Sequence, residues 1–127
     1  MVKRMTIAYW CLVVAGLLPY LSAGIAKGGA KFDNNNPRDW LARQEGWRKR
    51  ANAAQSNAFE SFPFFAAGVI VATLRHAPQE RVDMLAAAFV VARVAHLGMY
   101  VADQASLRSL MWMAGLGITL ALFFQGA

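Results

Sequence analysis

The sequence predicts an all-α integral membrane protein, folded as one bundle of four transmembrane helices. Of its 127 residues, 57% are hydrophobic and only 16% are charged, whereas roughly a quarter of residues are charged in an average soluble domain. Four apolar runs are long enough, at about 1.5 Å per residue, to cross most or all of a hydrocarbon core about 30 Å thick. We therefore expect a single membrane domain over residues 1–127, with helices at about 5–26, 37–75, 79–102 and 106–124.

The first apolar run, residues 5–26, follows Lys3 and Arg4. A cleaved signal peptide is the alternative interpretation of such a run. The apolar core of a signal peptide usually spans about 7 to 15 residues, and this run is longer. The sequence therefore favours a transmembrane helix.

The second helix has a clear predicted start, because Asn36 is a good N-cap, Pro37 suits the first helical position and Asp39 lies near the positive end of the helix dipole. From there we expect one continuous helix, polar to about Gln55 and apolar beyond it. Pro78 separates it from the third helix. A short polar turn at residues 103–106 precedes the fourth.

The basic residues predict how the helices are oriented. Four spans put both termini and the second loop on one side, with four basic residues: Lys3, Arg4, Arg75 and Arg81. The opposite side has eight: Lys27, Lys31, Arg38, Arg43, Arg48, Lys49, Arg50 and Arg108. The positive-inside rule makes the second side cytoplasmic, so we expect an inner-membrane protein with both termini on the non-cytoplasmic side. Such clusters between apolar runs indicate topology and lipid contact rather than nucleic-acid binding.

No metal site is expected, because the single cysteine, Cys11, belongs to no zinc-type spacing. The polar residues of the second helix are more informative. On a helix of 3.6 residues per turn, Arg50, Asn57 and Glu60 lie on one face. A carboxylate beside a membrane-length apolar run is costly unless it is paired, so Glu60 is a functional-site candidate.

The third helix carries a matching polar stripe, Arg93, His96 and Tyr100, at spacings of three and four. Arg93 lies near mid-span and needs a counter-charge, for which Glu60 is the expected partner. The alternative is a purely structural Glu–Arg pair that fixes packing, and His96 alone more often forms a structural hydrogen bond than a metal bond.

Eight polar side chains are expected to converge at one level of the bundle: Arg50, Gln55, Asn57, Glu60, Arg93, His96, Tyr100 and Arg108. Such a pocket would suit a small anion that also carries an amine. The four tryptophans are most simply interfacial anchors: Trp10, Trp40, Trp47 and Trp112.

Two of these segments match a known pattern. The first comprises Arg50, Ala54, Gln55, Asn57, Glu60, Phe62 and Pro63, and the second comprises Arg93, His96 and Tyr100 followed by Arg108. In these motifs, in length and in the number of spans, the sequence resembles the MAPEG family, membrane-associated proteins in eicosanoid and glutathione metabolism, in particular a bacterial-type member.

The resemblance implies a homotrimer with glutathione as co-substrate. It implies that Gln55, Asn57 and Glu60 bind the peptide groups of glutathione and that Arg93 and Tyr100 contact it from the third helix. We expect Arg50 and His96, which lie on the same faces, to complete the glutathione-binding set. It also implies a catalytic role for Arg108, which would stabilise the glutathione thiolate. A fixed cation lowers the pKa of a thiol from about 8.5 and so makes it a better nucleophile.

Three positions depart from the family pattern. Ala53 replaces an arginine that the enzymes commonly carry, which leaves Arg50 as the substitute. His96 and Ser61 stand where the leukotriene-forming branch has tyrosines, and these differences argue against eicosanoid synthesis.

The first functional hypothesis is a membrane glutathione transferase or peroxidase that acts on lipophilic electrophiles. The second is a non-catalytic protein of the same fold that binds a lipid or a small anion, and the absence of an arginine at position 53 favours it. The third, a small four-span drug exporter, is disfavoured because residues 5–26 contain no carboxylate for proton coupling.

Overall fold

A computed structural model describes residues 4–125 as five α-helices joined by short connections. They are α1 (Ile7–Lys27), α2 (Pro37–Ala42), α3 (Gly46–Leu74), α4 (Gln79–Val101) and α5 (Ala105–Phe123). Every helix except α2 is long and apolar enough to cross a membrane. The predicted fold class, an all-helical membrane bundle with four spans, is confirmed. Lys3, which entered the orientation argument, lies outside the described residues.

The four long helices pack as an up-and-down bundle. α1 contacts α3 and α4, α5 contacts the same two helices, and α3 and α4 also touch each other. This places α1 and α5 at opposite corners. The core lies towards the end of the bundle where α1 begins, and Phe65 and Phe89 stack there with ring centroids 3.8 Å apart.

The expectation of one continuous helix from Pro37 is wrong. Asn36 does precede the helix, with Pro37 at its start, but α2 ends after six residues at Ala42. The chain then bends, and Gly46 begins α3 with a φ of 62°. That left-handed conformation favours glycine, so Gly46 lets the chain change direction where the polar sequence pattern continues unbroken.

α4 ends in a Schellman motif, which forms the turn into α5. Asp103 has a φ of 62°, a conformation that Asp tolerates better than most residues. The N–H of Gln104 then donates to the Met99 carbonyl at 2.8 Å, which satisfies a carbonyl that the helix end would otherwise leave unpaired. This tight turn brings Arg108, in the first turn of α5, back beside the end of α4.

Arginines from other parts of the chain cap three helix C-termini. The pairs are Arg48 with the Ala26 carbonyl at 3.0 Å, Arg50 with the Val101 carbonyl at 3.0 and 3.2 Å, and Arg75 with the Phe123 carbonyl at 2.8 Å. A cation at a helix C-terminus satisfies exposed carbonyls and complements the helix dipole. These bonds tie the ends of α1, α4 and α5 to α3 and its flanking residues.

α3 and α5 approach each other closely at Gly68. A Cβ atom at this position would lie 3.2 Å from the Cβ of Leu122 and 3.4 Å from the Thr119 carbonyl oxygen. The absence of a side chain at Gly68 therefore sets how closely the two helices meet.

We expect Gly68→Leu to destabilise the bundle by about 1–3 kcal/mol, because a side chain there overpacks a tight helix contact. The measurement is thermal unfolding of the detergent-purified protein, followed by circular dichroism. Gly117→Leu is the matched control, since a Cβ at Gly117 would meet nothing within 4 Å. Equal stability of the two variants would contradict this role for Gly68.

Candidate functional site

Two adjoining cavities lie between α3, α4 and α5. The outer cavity, of about 400 Å³, is nearer the α4–α5 turn and is lined by Asn57, His96, Tyr100, Arg108, Ser109, Trp112 and Met113. The inner cavity, of about 190 Å³, is lined by Asn57, Glu60, Ser61, Phe64, Phe89, Arg93, Trp112, Gly115, Leu116 and Thr119. Asn57 and Trp112 belong to both, so the two cavities form one cleft.

Arg93 lines the inner cavity and is only 4% exposed. Its Nη2 donates a hydrogen bond of 2.6 Å to Oδ1 of Asn57. A guanidinium has five N–H donors, and this is the only side-chain hydrogen bond of Arg93 within residues 4–125. Arg93 is therefore a buried cation with donors still available to a ligand.

The expected pairing of Arg93 with Glu60 is wrong. Glu60 lines the inner cavity but is exposed, and no hydrogen bond joins it to Arg93. Three residues advance a helix by about 300°, so the side chains of Asn57 and Glu60 point about 60° apart. α4 packs on the Asn57 side, and the amide is the group that meets the guanidinium.

Three side chains, His96 and Tyr100 of α4 and Arg108 of α5, lie next to one another along one wall of the outer cavity. His96 is buried, and its ring makes an edge-on contact with Tyr100 at a centroid distance of 5.5 Å. The Arg108 guanidinium carbon lies 4.6 Å from the centroid of the same Tyr100 ring. This cation–π contact fixes the cation of α5 against α4, one helical turn from Trp112.

Arg50 and Gln55 are absent from both cavity linings. Arg50 donates Nε and Nη2 to the Val101 carbonyl, so it caps the C-terminus of α4. Gln55 lies about 200° around the helix from Asn57. It shares its face with Phe62, which packs against Gly16 of α1.

Oε1 of Gln55 is buried without a hydrogen-bond partner among residues 4–125.

Of the eight side chains expected to converge, six line the cleft: Asn57, Glu60, Arg93, His96, Tyr100 and Arg108.

Trp112 is the main residue of the cleft that the sequence interpretation missed. The sequence predicts an interfacial anchor at Trp112, and the structure places it in the lining of both cavities. Residues 108, 112, 115, 116 and 119 follow helical spacings of three and four, so they lie on one face of α5. The sequence signal for these residues is their helical spacing from Arg108, which predicts the side of α5 that lines the cleft.

The cleft combines positive charge with an apolar interior. Its lining contains two arginines and one carboxylate, while Phe64, Phe89 and Leu116 line the inner end. In a low-dielectric membrane bundle, unpaired cations attract anions strongly. The arrangement can hold a small anion in the outer cavity beside an apolar group in the inner one.

Comparison with known proteins assigns the chain to a family. No curated protein matches the sequence. The sequence model of the MAPEG family matches residues 7–127, nearly the whole chain. Together with the four membrane-spanning helices, this match shows that the protein belongs to the MAPEG family.

Proposed function

We propose that this protein is a membrane-bound glutathione-dependent transferase or peroxidase that acts on lipophilic electrophiles. The observation that carries the proposal is the pair of guanidinium groups, Arg93 and Arg108, in adjoining cavities whose lining includes one carboxylate. Membership of the MAPEG family supports glutathione-related chemistry in a membrane. The residues of the cleft support the specific assignment.

The donors of the two adjoining cavities together fit glutathione, with Arg93 and Glu60 in the inner cavity, Arg108 in the outer cavity and Asn57 in both. Glutathione at neutral pH carries two carboxylates, one ammonium and a thiol. Arg93 has free donors for a carboxylate, Glu60 provides a counter-charge for the ammonium, and Asn57 retains its Nδ2 donor because Oδ1 is engaged by Arg93. The outer cavity has a volume of about 400 Å³, which falls within the range of roughly 300–1,000 Å³ that is usual for ligand pockets.

Glutathione supplies the reactive sulfur, and the proposed role of Arg108 is to stabilise that sulfur as a thiolate. Tyr100 holds the guanidinium at the cavity wall, so the positive charge is fixed before the ligand arrives. In the transferase reaction the thiolate sulfur bonds to an electrophilic carbon. In a substitution the leaving group departs with the electron pair of its bond, and in an addition that electron pair moves to a neighbouring atom, which takes a proton from water. In the peroxidase reaction the sulfur attacks a peroxide oxygen and releases the alcohol, and a second glutathione forms the disulfide and water.

The inner cavity is suited to the apolar part of the electrophile. Phe64, Phe89 and Leu116 supply a mainly apolar lining next to the boundary residue Trp112. An apolar cavity of about 150 Å³ can hold benzene, so about 190 Å³ accommodates a phenyl ring or a short alkyl chain. Substrates of this kind partition into the bilayer that surrounds the bundle.

We also propose a homotrimer in the inner membrane, with the cleft in the cytoplasmic half and both termini on the opposite side. The exposed side chain of Glu60 supports the assembly, because a carboxylate at membrane depth is costly unless protein or water covers it. The basic residues at the ends of α1, α3 and α5 support the orientation.

A non-catalytic protein that binds a lipid or small anion is the second candidate. Ala53 supplies no cation, and Arg50 is occupied at the Val101 carbonyl. The cleft therefore has fewer cations than the sequence resemblance implies. Such a protein would bind glutathione or another anion without turnover.

Replacing Arg108 tests the catalytic proposal. We expect Arg108→Ala to reduce turnover with glutathione and an aryl halide by about 100-fold or more, as loss of a charge-stabilising donor does in other enzymes. Glutathione binding should weaken less, and the ultraviolet absorbance of the bound thiolate should disappear. Arg108→Lys should retain part of both signals. Full transferase activity in Arg108→Ala would exclude the assigned role.

Filling the inner cavity tests the site for the electrophile. We expect Leu116→Trp to raise the KM for an aromatic electrophile about tenfold or more, because an indole occupies the volume that the ring needs. The KM for glutathione should stay within about twofold. Leu120→Trp is the matched control, since Leu120 is similarly exposed but lines neither cavity. Equal effects of the two variants would place the electrophile elsewhere.

A further inference from the structure

Basic and aromatic side chains cover the end of the bundle where α1 joins α3. This basic segment, residues 27–50, contains seven lysines and arginines against three acidic residues. Asp33 is one of the three, and its carboxylate already accepts bonds from Asn35 and Asn36. The segment therefore presents an excess of positive charge that nearby carboxylates do not cancel.

The basic segment is folded against the bundle. Leu41 is buried with Ala26 and Ala51 in a small second core. Phe32 and Trp40 pack edge-on with centroids 5.0 Å apart, and the Lys27 ammonium lies 4.3 Å above the Phe32 ring. Its side chains consequently have defined positions relative to the membrane-spanning helices.

Two of its arginines are engaged by the protein itself, since Arg48 and Arg50 cap α1 and α4. Four further basic residues are exposed and make no side-chain hydrogen bond within the described part of the chain: Lys31, Arg38, Arg43 and Lys49. These four cations are available to an external partner.

The opposite end of the bundle differs. There, Arg75 donates to the Phe123 carbonyl and Arg81 donates to Oε1 of Gln125. Basic residues at that end are thus partly satisfied within the protein. Each end therefore has two arginines bonded within the protein, but the basic segment also has four exposed cations without such bonds, whereas the opposite end has only Arg4 among residues 4–125. This excess of exposed cations indicates that the basic segment is the end that meets an external anion.

We propose that the basic segment binds the headgroups of anionic phospholipids through Lys31, Arg38, Arg43 and Lys49. The segment connects two membrane-spanning helices, so it lies at the membrane surface, where lipid phosphates are the most abundant anions. Trp47 is 41% exposed beside Arg48 and suits the same interfacial layer. A zwitterionic headgroup offsets its phosphate with an ammonium, so the charge complementarity favours anionic lipids.

The experiment measures lipid selectivity of the whole purified protein by native mass spectrometry, with equimolar phosphatidylglycerol and phosphatidylcholine added to the detergent. We expect phosphatidylglycerol to be retained preferentially. Each basic residue near an anionic surface is worth about a fivefold change in affinity. Combining Lys31→Gln, Arg38→Gln, Arg43→Gln and Lys49→Gln should therefore reduce the preference about tenfold or more.

Three controls distinguish this surface from general charge effects. Exchanging each of the four basic residues for the other basic type, Lys for Arg and Arg for Lys, should keep the preference. Asp39→Asn with Glu45→Gln should increase it, and Arg4→Gln at the opposite end should leave it unchanged. Unaltered selectivity in the neutralised variant would overturn the proposal. Displacement of the lipid by millimolar inorganic phosphate would also overturn it and indicate a simple anion site.

Discussion

The hydrogen bond between Arg93 and Asn57 is the interaction on which the cleft depends. It joins α4 to α3 in the interior of a membrane bundle, at a distance of 2.6 Å. An arginine that is 4% exposed at this depth would be strongly unfavourable without a partner. One amide oxygen satisfies one of its five donors, so the fold tolerates the cation while leaving much of its binding capacity unused.

The shape of the cleft follows from how α5 packs. At Gly68, α3 and α5 meet with no side chain between them. Towards the α4–α5 turn the same two helices are separated by the cavities, with Trp112 between the outer and inner parts. Close packing at one end and a tight Schellman turn at the other hold Arg108 beside Tyr100. The cation that is proposed to act on sulfur is thereby positioned by backbone geometry.

The sequence predicted the membrane fold because apolar run length and the Asn36-Pro37 start are local signals. It also predicted which faces of α3 and α4 carry Asn57, Arg93, His96 and Tyr100, since helical spacing determines them. The sequence could not predict which arginines keep their donors available to a ligand. Arg50, for example, donates to the carbonyl of a residue 51 positions away along the chain. The polar pattern of residues 37–55 did not predict the break before Gly46, because the residues on both sides of the break are polar and the change of direction depends on the left-handed backbone of one residue.

Calorimetric titration of the detergent-purified protein with glutathione tests the central claim most directly, with Arg93→Met and Arg50→Met measured beside it. Hydrogen bonds to charged groups contribute about 1.5–3 kcal/mol, so Arg93→Met should bind glutathione about tenfold to 100-fold more weakly. Arg50→Met should bind it as the unaltered protein does, because Arg50 caps α4 outside the cleft. Undiminished binding by Arg93→Met, or loss of binding only in Arg50→Met, would contradict the placement of glutathione in this cleft.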